Sequence, residues 1–332
     1  MILFAFLFSI FAVANERPAK EVSVSPQLIS TTDINDTPTY FFKPSPDGRY
    51  YTYTTWKPSD GHYADKNILL DSQSGVSMPI PGAYDPMFTL NMRNVIVPGQ
   101  VASYGLRFYH LEDLINQGVA AQPFFNDTEF KGVYESIAVL RKTATEVIYR
   151  VIIEFNSRYF RDYKETLDAS GKTIKMEIIS PVTQVCSNYK FALPMISKTG
   201  TEFSGLDYSV GKSRVYKLNN DGTCEVSEEL GYLAGKIAFG YNSRYIAFHV
   251  FEKADKLGNY AFSHISAPDS KTVANIYLKD RLTNTTYKLS NYVDGNAMYP
   301  EFLANGDIVY ILHPHDTSSF KVRFVRIRPT IY

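Results

Sequence analysis

The sequence predicts an all-β fold, a six-bladed β-propeller of four-stranded antiparallel blades closed by an N-terminal strand. Three observations predict it. Tyr and Phe are abundant (25 and 22 of 332 residues, with one Trp), a bias that suits pleated, half-buried strands. One hairpin shape recurs along the chain. The last copy ends one strand short, while an unclaimed strand-forming segment stands before the first copy.

In chain order, the opening "MILFAFLFSIFAVA" is apolar throughout and ends in the small-x-small pattern Ala12-Val13-Ala14. It predicts a secretory signal peptide over 1–14, cleaved before Asn15, although its only positive charge is the α-amine. A run of about 13 apolar residues is short for a bilayer. The expectation is an exported, periplasmic or secreted chain with no stable membrane span after cleavage. Residues 15–36 follow as the segment supplying the closing outer strand, within which "KEVSVSPQLISTTDIN" (20–35) forms the strand. Residues 37–332 form the propeller.

The repeat is clearest in "FFKPSPDGRYYTYTT" (41–55), where a Pro-Asp-Gly turn joins two runs of aromatic and β-branched residues. "GKIAFGYNSRYIAFHV" (235–250) and "YPEFLANGDIVYILH" (299–313) reproduce it, the latter with an Asn-Gly turn. A second hairpin follows in "NILLDSQSGVSMPI" (67–80) and "NIYLKDRLTNTTYKLS" (275–290), giving four strands per unit. Looser copies occupy roughly 85–114, 135–185 and 190–227, and the second departs from the turn with "TLNMRN". First strands begin near 41, 86, 136, 190, 236 and 300, a spacing of about 45 residues where uninterrupted, as four-stranded blades require.

"PSPDGRYYTYTT" with "NILLDSQSG", and "GKIAFGYNSRYIAFHV" with "NIYLKDRLTNTTYKLS", resemble the WD40-like PD40 repeat of periplasmic propellers of the TolB type. The resemblance is close in units one, five and six. It implies a propeller of that superfamily and an exported location. The α/β module that precedes the propeller in TolB has no counterpart, and the resemblance does not imply membership of the Tol system.

Lys plus Arg and Asp plus Glu each number 34, so a general affinity for nucleic acid or anionic membrane has no electrostatic basis. The two cysteines, Cys186 and Cys224, have no metal-ligand spacing. In an exported chain they could form a disulfide, or stand as two separate buried thiols. "GLDYSVGKS" ends like a P-loop but has Leu206 where the first Gly belongs, and reads as strand, tight turn, strand. Neither a G-x-S-x-G elbow nor H-E-x-x-H occurs. "HPHD" places His313 and His315 on one side of an extended segment, half of a metal site that would need His62, His249 or His264 to complete it. The simpler reading is a polar loop, and no metal or other cofactor is assigned.

In a four-stranded meander the loops after the first and second strands open on opposite faces. The first set is short. The second reads as long at 56–66, 154–171, 251–271 and 313–319. That long-loop face would carry Trp56, His62, Tyr63, Tyr159, Phe160, Arg161, Tyr163, Tyr260, Phe262, His264, His313 and His315, an interface-like composition. The alternative is that these aromatics fold back over the blade tops or plug the channel. The expected function is a monomeric, non-enzymatic binding module for an envelope protein, peptide or glycan. The runner-up is a propeller enzyme, of lyase or glycan-cleaving type, with its site at the channel mouth.

Overall fold

The computed structural model describes residues 20–34, 42–56, 64–82, 85–98, 105–154, 157–189, 191–207, 210, 212–232, 234–253, 273–315 and 322–330. One small turn explains the repeat. Asp47 accepts a hydrogen bond from the backbone N–H of Arg49 (3.0 Å), and Gly48 takes a left-handed φ of 75°. Asn91, Asn242 and Asn305 accept in the same way from the N–H two residues on, each at 3.1 Å. The residues after them, Met92, Ser243 and Gly306, also have positive φ. The short Asx side chain closes the turn, so "TLNMRN" keeps the geometry of the repeat although Met replaces Gly.

Two strands, β1 (Lys20–Ser23) and β2 (Gln27–Asp33), come first. The first sheet holds β3 (Phe42–Pro44), β4 (Tyr50–Trp56), β5 (Ala64–Asp71) and β6 (Ser77–Ile80). The second holds β7 (Met87–Phe88), β8 (Asn94–Val97), β9 (Gly105–His110) and β10 (Phe125–Lys131), with helix α1 (Leu111–Gln117) between its last two strands. In the third, β11 (Val133–Lys142), β12 (Glu146–Glu154), β13 (Arg158–Leu167) and β14 (Thr173–Ile178) are joined by β15 (Thr183–Gln184). The fourth comprises β16 (Phe191–Ile196), β17 (Glu202–Asp207), β18 (Lys212–Leu218) and β19 (Cys224–Glu229).

A nine-stranded sheet contains two further meanders. One is β20 (Ala234–Phe239), β21 (Tyr245–Lys253), β22 (Val273–Asp280) and β23 (Thr285–Lys288); the other is β24 (Gly295–Phe302), β25 (Ile308–Pro314) and β26 (Arg323–Arg328). A single bridge, Ala274 to Asn296, links them. Strand β2 runs antiparallel to β26, from Gln27 opposite Arg328 to Asp33 opposite Arg323.

Apolar clusters fill the spaces between successive sheets. Phe88, Val95 and Leu114 pack on Leu69 and Ile80 of the first sheet, and Phe203 and Tyr216 pack on Ile152 and Phe160 of the third. Another cluster joins Phe42, Tyr51 and Tyr53 of the first sheet to Met298, Leu303 and Phe324 of the last meander. Cys186 and Cys224 form a disulfide with a Cα separation of 5.0 Å, tying the segment after β15 to β19. Among the described residues no helix is long and apolar enough to cross a membrane.

Three expectations are corrected. The segment 154–171 is not a long loop: β12 and β13 are separated by 155–157 only. Its polar residues misled because both faces of β13 are buried and its charges are paired internally, Arg161 with Asp127 and Asp162 with Arg150, each at 2.8 Å. The looser copy read over roughly 85–114 does not stay in strand to its end: its third strand stops at His110, where α1 begins. The N-terminal segment forms two strands rather than one, since Pro26 separates β2 from β1 and β1 lies parallel to β23.

The turn at Ser243 carries a defect that can be repaired. Its φ is 55° and its hydroxyl is buried without a partner. Ser243→Gly removes both penalties and is expected to stabilise the chain by about 1 kcal/mol, measured by urea unfolding.

Candidate functional site

The turn after each first strand and the connection after each third strand open on the same face, here the short-turn face. The first strands line the middle of the molecule: β3 lies beside β7, β11 beside β16, β16 beside β20, β20 beside β24, and β24 beside β3. Charge is buried there. Lys43 Nζ donates to Glu301 at 2.6 Å, both side chains being almost wholly buried. Burial alone would lower the Lys43 pKa, but the Glu301 and Asp85 charges push it up to about 12. Burial alone would raise Glu301, but Lys43, Lys198 and Lys236 hold it below the usual carboxylate range. Asp85 is pushed up by burial and has one oxygen without a hydrogen-bond partner. Lys198 is half-buried, its ammonium 5.8 Å from the Tyr241 ring centroid, and burial lowers its pKa.

Two clefts open on this face. The larger, about 550 Å³, lies between the last two meanders and is lined by Tyr241, Tyr245, Leu278, Phe302, Leu303 and Arg328. Tyr241 and Phe302 also wall a small pocket lined by Lys43, Lys198 and Glu301, so the cleft and the buried charges share two wall residues. The smaller cleft, about 410 Å³, lies between the second and third sheets and is lined in part by Arg93, His110, Glu112, Asp113 and Lys172. Behind it, Glu165 is fully buried and accepts from Asn94 (2.6 Å), Asn91 (2.9 Å), Tyr149 (2.6 Å) and Thr173.

The residues expected on the long-loop face are not brought together as one described surface. His62, Tyr63, Tyr260, Phe262 and His264, and the side chain of Trp56, lie outside the described residues. Tyr159, Phe160, Arg161 and Tyr163 are in β13. Phe160 packs toward the fourth sheet, and Tyr163 packs toward the second and donates to Asp127 at 2.8 Å. The alternation of the strand sends them to opposite sides. His313 is buried in β25 opposite Asn296, and His315 is half-buried. His249 is buried against Gly235, where a Cβ would stand 2.0 Å from the ring, and burial lowers its pKa to about 3. Among the described residues no three His, Cys, Asp or Glu side chains are placed to hold a metal ion.

Sequence reasoning missed the short-turn face. Its signal was the repeated aromatic beside the turn in "GYNSRY", read only as strand patterning. His110 carried no motif.

The sheets and their order define a protein of the β-propeller fold. It is similar to the β-propeller domain of Cps50 (Swd1) from Myceliophteria thermophila, with a TM-score of 0.53 and 9% identity over 92% of this chain and 100% of that one. An oligogalacturonate lyase from Vibrio parahaemolyticus is also similar, with a TM-score of 0.49 and 10% identity over 94% and 99% of the two chains. Hydrazine synthase from Kuenenia stuttgartiensis matches with a TM-score of 0.46 and 11% identity over 84% and 78%. At these identities the likeness shows the fold alone. No family model matches the chain, and no curated protein does.

The Lys43–Glu301 pair has a defined pH signature. Glu301 is depressed, so its contribution is complete above the unfolded carboxyl value, about 4.3, and is lost as pH falls through the lower folded value. Lys43 is raised, so its contribution is complete below about 10.4 and is lost as pH rises through about 12. Lys43→Met strands a buried carboxylate and is expected to cost about 3–5 kcal/mol near neutral pH. In denaturant unfolding across pH, its deficit relative to wild type should shrink toward both extremes.

Proposed function

We propose that the chain is a six-bladed propeller, closed by β2 as the outer strand of the last blade, that acts as an exported, non-enzymatic binding module. Support for six closed blades comes from the apolar clusters, which pair each meander with the next and the last with the first. The PD40-like repeats and the apolar leader support an envelope location.

The working surface is the short-turn face, and its occupant is an extended apolar segment of an envelope protein or peptide. One observation carries this reading: the 550 Å³ cleft walled by Tyr241, Tyr245 and Phe302, two of which also line the pocket over Lys43 and Glu301. Its volume and aromatic lining suit such a segment. Arg328 is held by Asp307, so Lys198 is the cation that favours an acidic group flanking the apolar stretch.

Two experiments test the parts separately. Removing residues 20–34 leaves the β26 edge unpaired and should lower the melting temperature sharply; an unchanged value overturns closure. Cross-linking capture from an envelope fraction should recover a partner with wild type and lose it with Tyr241→Ala/Tyr245→Ala. A variant at the exposed Leu282 should retain it. If the cleft variant keeps every partner, the short-turn face is not the working surface.

A further inference from the structure

The cleft between the second and third sheets opens on the same face as the proposed peptide cleft but at a different junction, and is built differently. His110 lies at the end of β9, its ring stacked on Phe124 (4.1 Å between centroids, 11° between planes). Its Nδ1 is 3.0 Å from Asn94 Oδ1. The Asn94 amide group donates to Glu165 at 2.6 Å and to Thr173 at 2.8 Å, so Asn94 Oδ1 is left as an acceptor. Nδ1 must therefore carry the proton, and Nε2 keeps its lone pair. The four donors around the buried Glu165 hold Asn94 in place, so the tautomer and the orientation of the ring are both locked. A ligand meeting Nε2 has to bring a donor.

The remaining charges divide into two pairs. Arg93, in the turn before β8, and Lys172, in the turn before β14, supply cations. Glu112 and Asp113, in the first turn of α1, supply carboxylates. None of the four is engaged in an ion pair with another described residue. Both signs are thus offered beside an imidazole that can only accept.

We propose that this cleft binds a small zwitterion of the amino-acid class. The ligand carboxylate lies against Arg93 and Lys172. Its ammonium donates to His110 Nε2 and faces Asp113 and Glu112. The cleft, at about 410 Å³, is large enough for a free amino acid with a sizeable side chain. Acid should weaken binding, because a protonated His110 offers an N–H where the ligand needs an acceptor and repels the ammonium. Burial lowers the His110 pKa, and the charged groups acting on the ring are Asp113, Lys172, Glu165 and Glu112.

The test is calorimetric titration of the full chain with each common free L-amino acid, repeated for the best ligand as its N-acetyl and carboxamide derivatives. At least one amino acid should bind, and each cap should weaken it about tenfold or more, about 1.4 kcal/mol. Arg93→Ala should weaken the free amino acid while leaving little further loss on amidation. His110→Phe, which preserves the stack on Phe124, should weaken it and abolish the acid dependence. Thermal melts of both variants check the fold; if either fails to fold, Lys172→Ala and His110→Gln replace them. The proposal is overturned if no amino acid binds at up to about 10 mM, a ceiling of roughly 2.7 kcal/mol, or if capping and both substitutions leave binding unchanged.

Discussion

The buried ion pair between Lys43 and Glu301 is the constraint on which the rest of the arrangement depends. It joins residues 258 positions apart, one on the innermost strand of the first sheet and one on that of the last meander. A buried pair of this kind is weak evidence for net stability, because desolvation offsets much of the attraction. Its effect is on register. Among the opposite charges around them, Asp85 for Lys43 and Lys198 and Lys236 for Glu301, each is hydrogen-bonded to the other, which ties the first and last sheets together at this one point. Tyr51 stacking on Phe324 (5.0 Å between centroids) and the hydrogen bond from Ala304 N–H to Pro46 C=O (2.7 Å) lock the same junction farther out.

Polar groups in this chain often reach from sheet to sheet. Arg161 of β13 pairs with Asp127 of β10, and Glu165 of β13 receives Asn91 and Asn94 from the second sheet. Between two apolar faces alone, sheets could slide at little cost; buried hydrogen bonds and ion pairs that a slide would break make it expensive. The apolar clusters supply the bulk of the burial, and the charged links choose the alignment.

The fold was legible because a four-strand unit repeats its turn chemistry. Asp47, Asn242 and Asn305 sit at equivalent points, and the sequence reading found them; Asn91 does the same work but was hidden by Met92 in the place of Gly. The candidate site was much less legible. "RYFRDY" looked like an exposed loop since three of its six residues are charged and two more carry a polar tip, whereas the structure pairs Arg161 and Asp162 inside. Pairing across sheets is a tertiary property with no local signature, which is also why the relay from His110 through Asn94 to Glu165 could not be seen: its three members are spread over 71 residues of chain.

The same topology gives a reason for function to divide between clefts. Adjacent blades splay outward from a crowded centre, so apolar packing fills the inner part of each junction and leaves space near the turns. Where both flanking turns are compact, as at Gly240–Arg244 and Leu303–Asp307, the space stays open and is lined by whatever the strands present, here Tyr241, Tyr245 and Phe302. Where an insertion such as α1 rises beside the junction, it adds its own charges, Glu112 and Asp113, to the wall. The first kind of cleft suits a long apolar segment lying along it, and the second a small ligand held by its ends. The two belong to different junctions and share no lining residue, so the side chains that shape one are not those that shape the other.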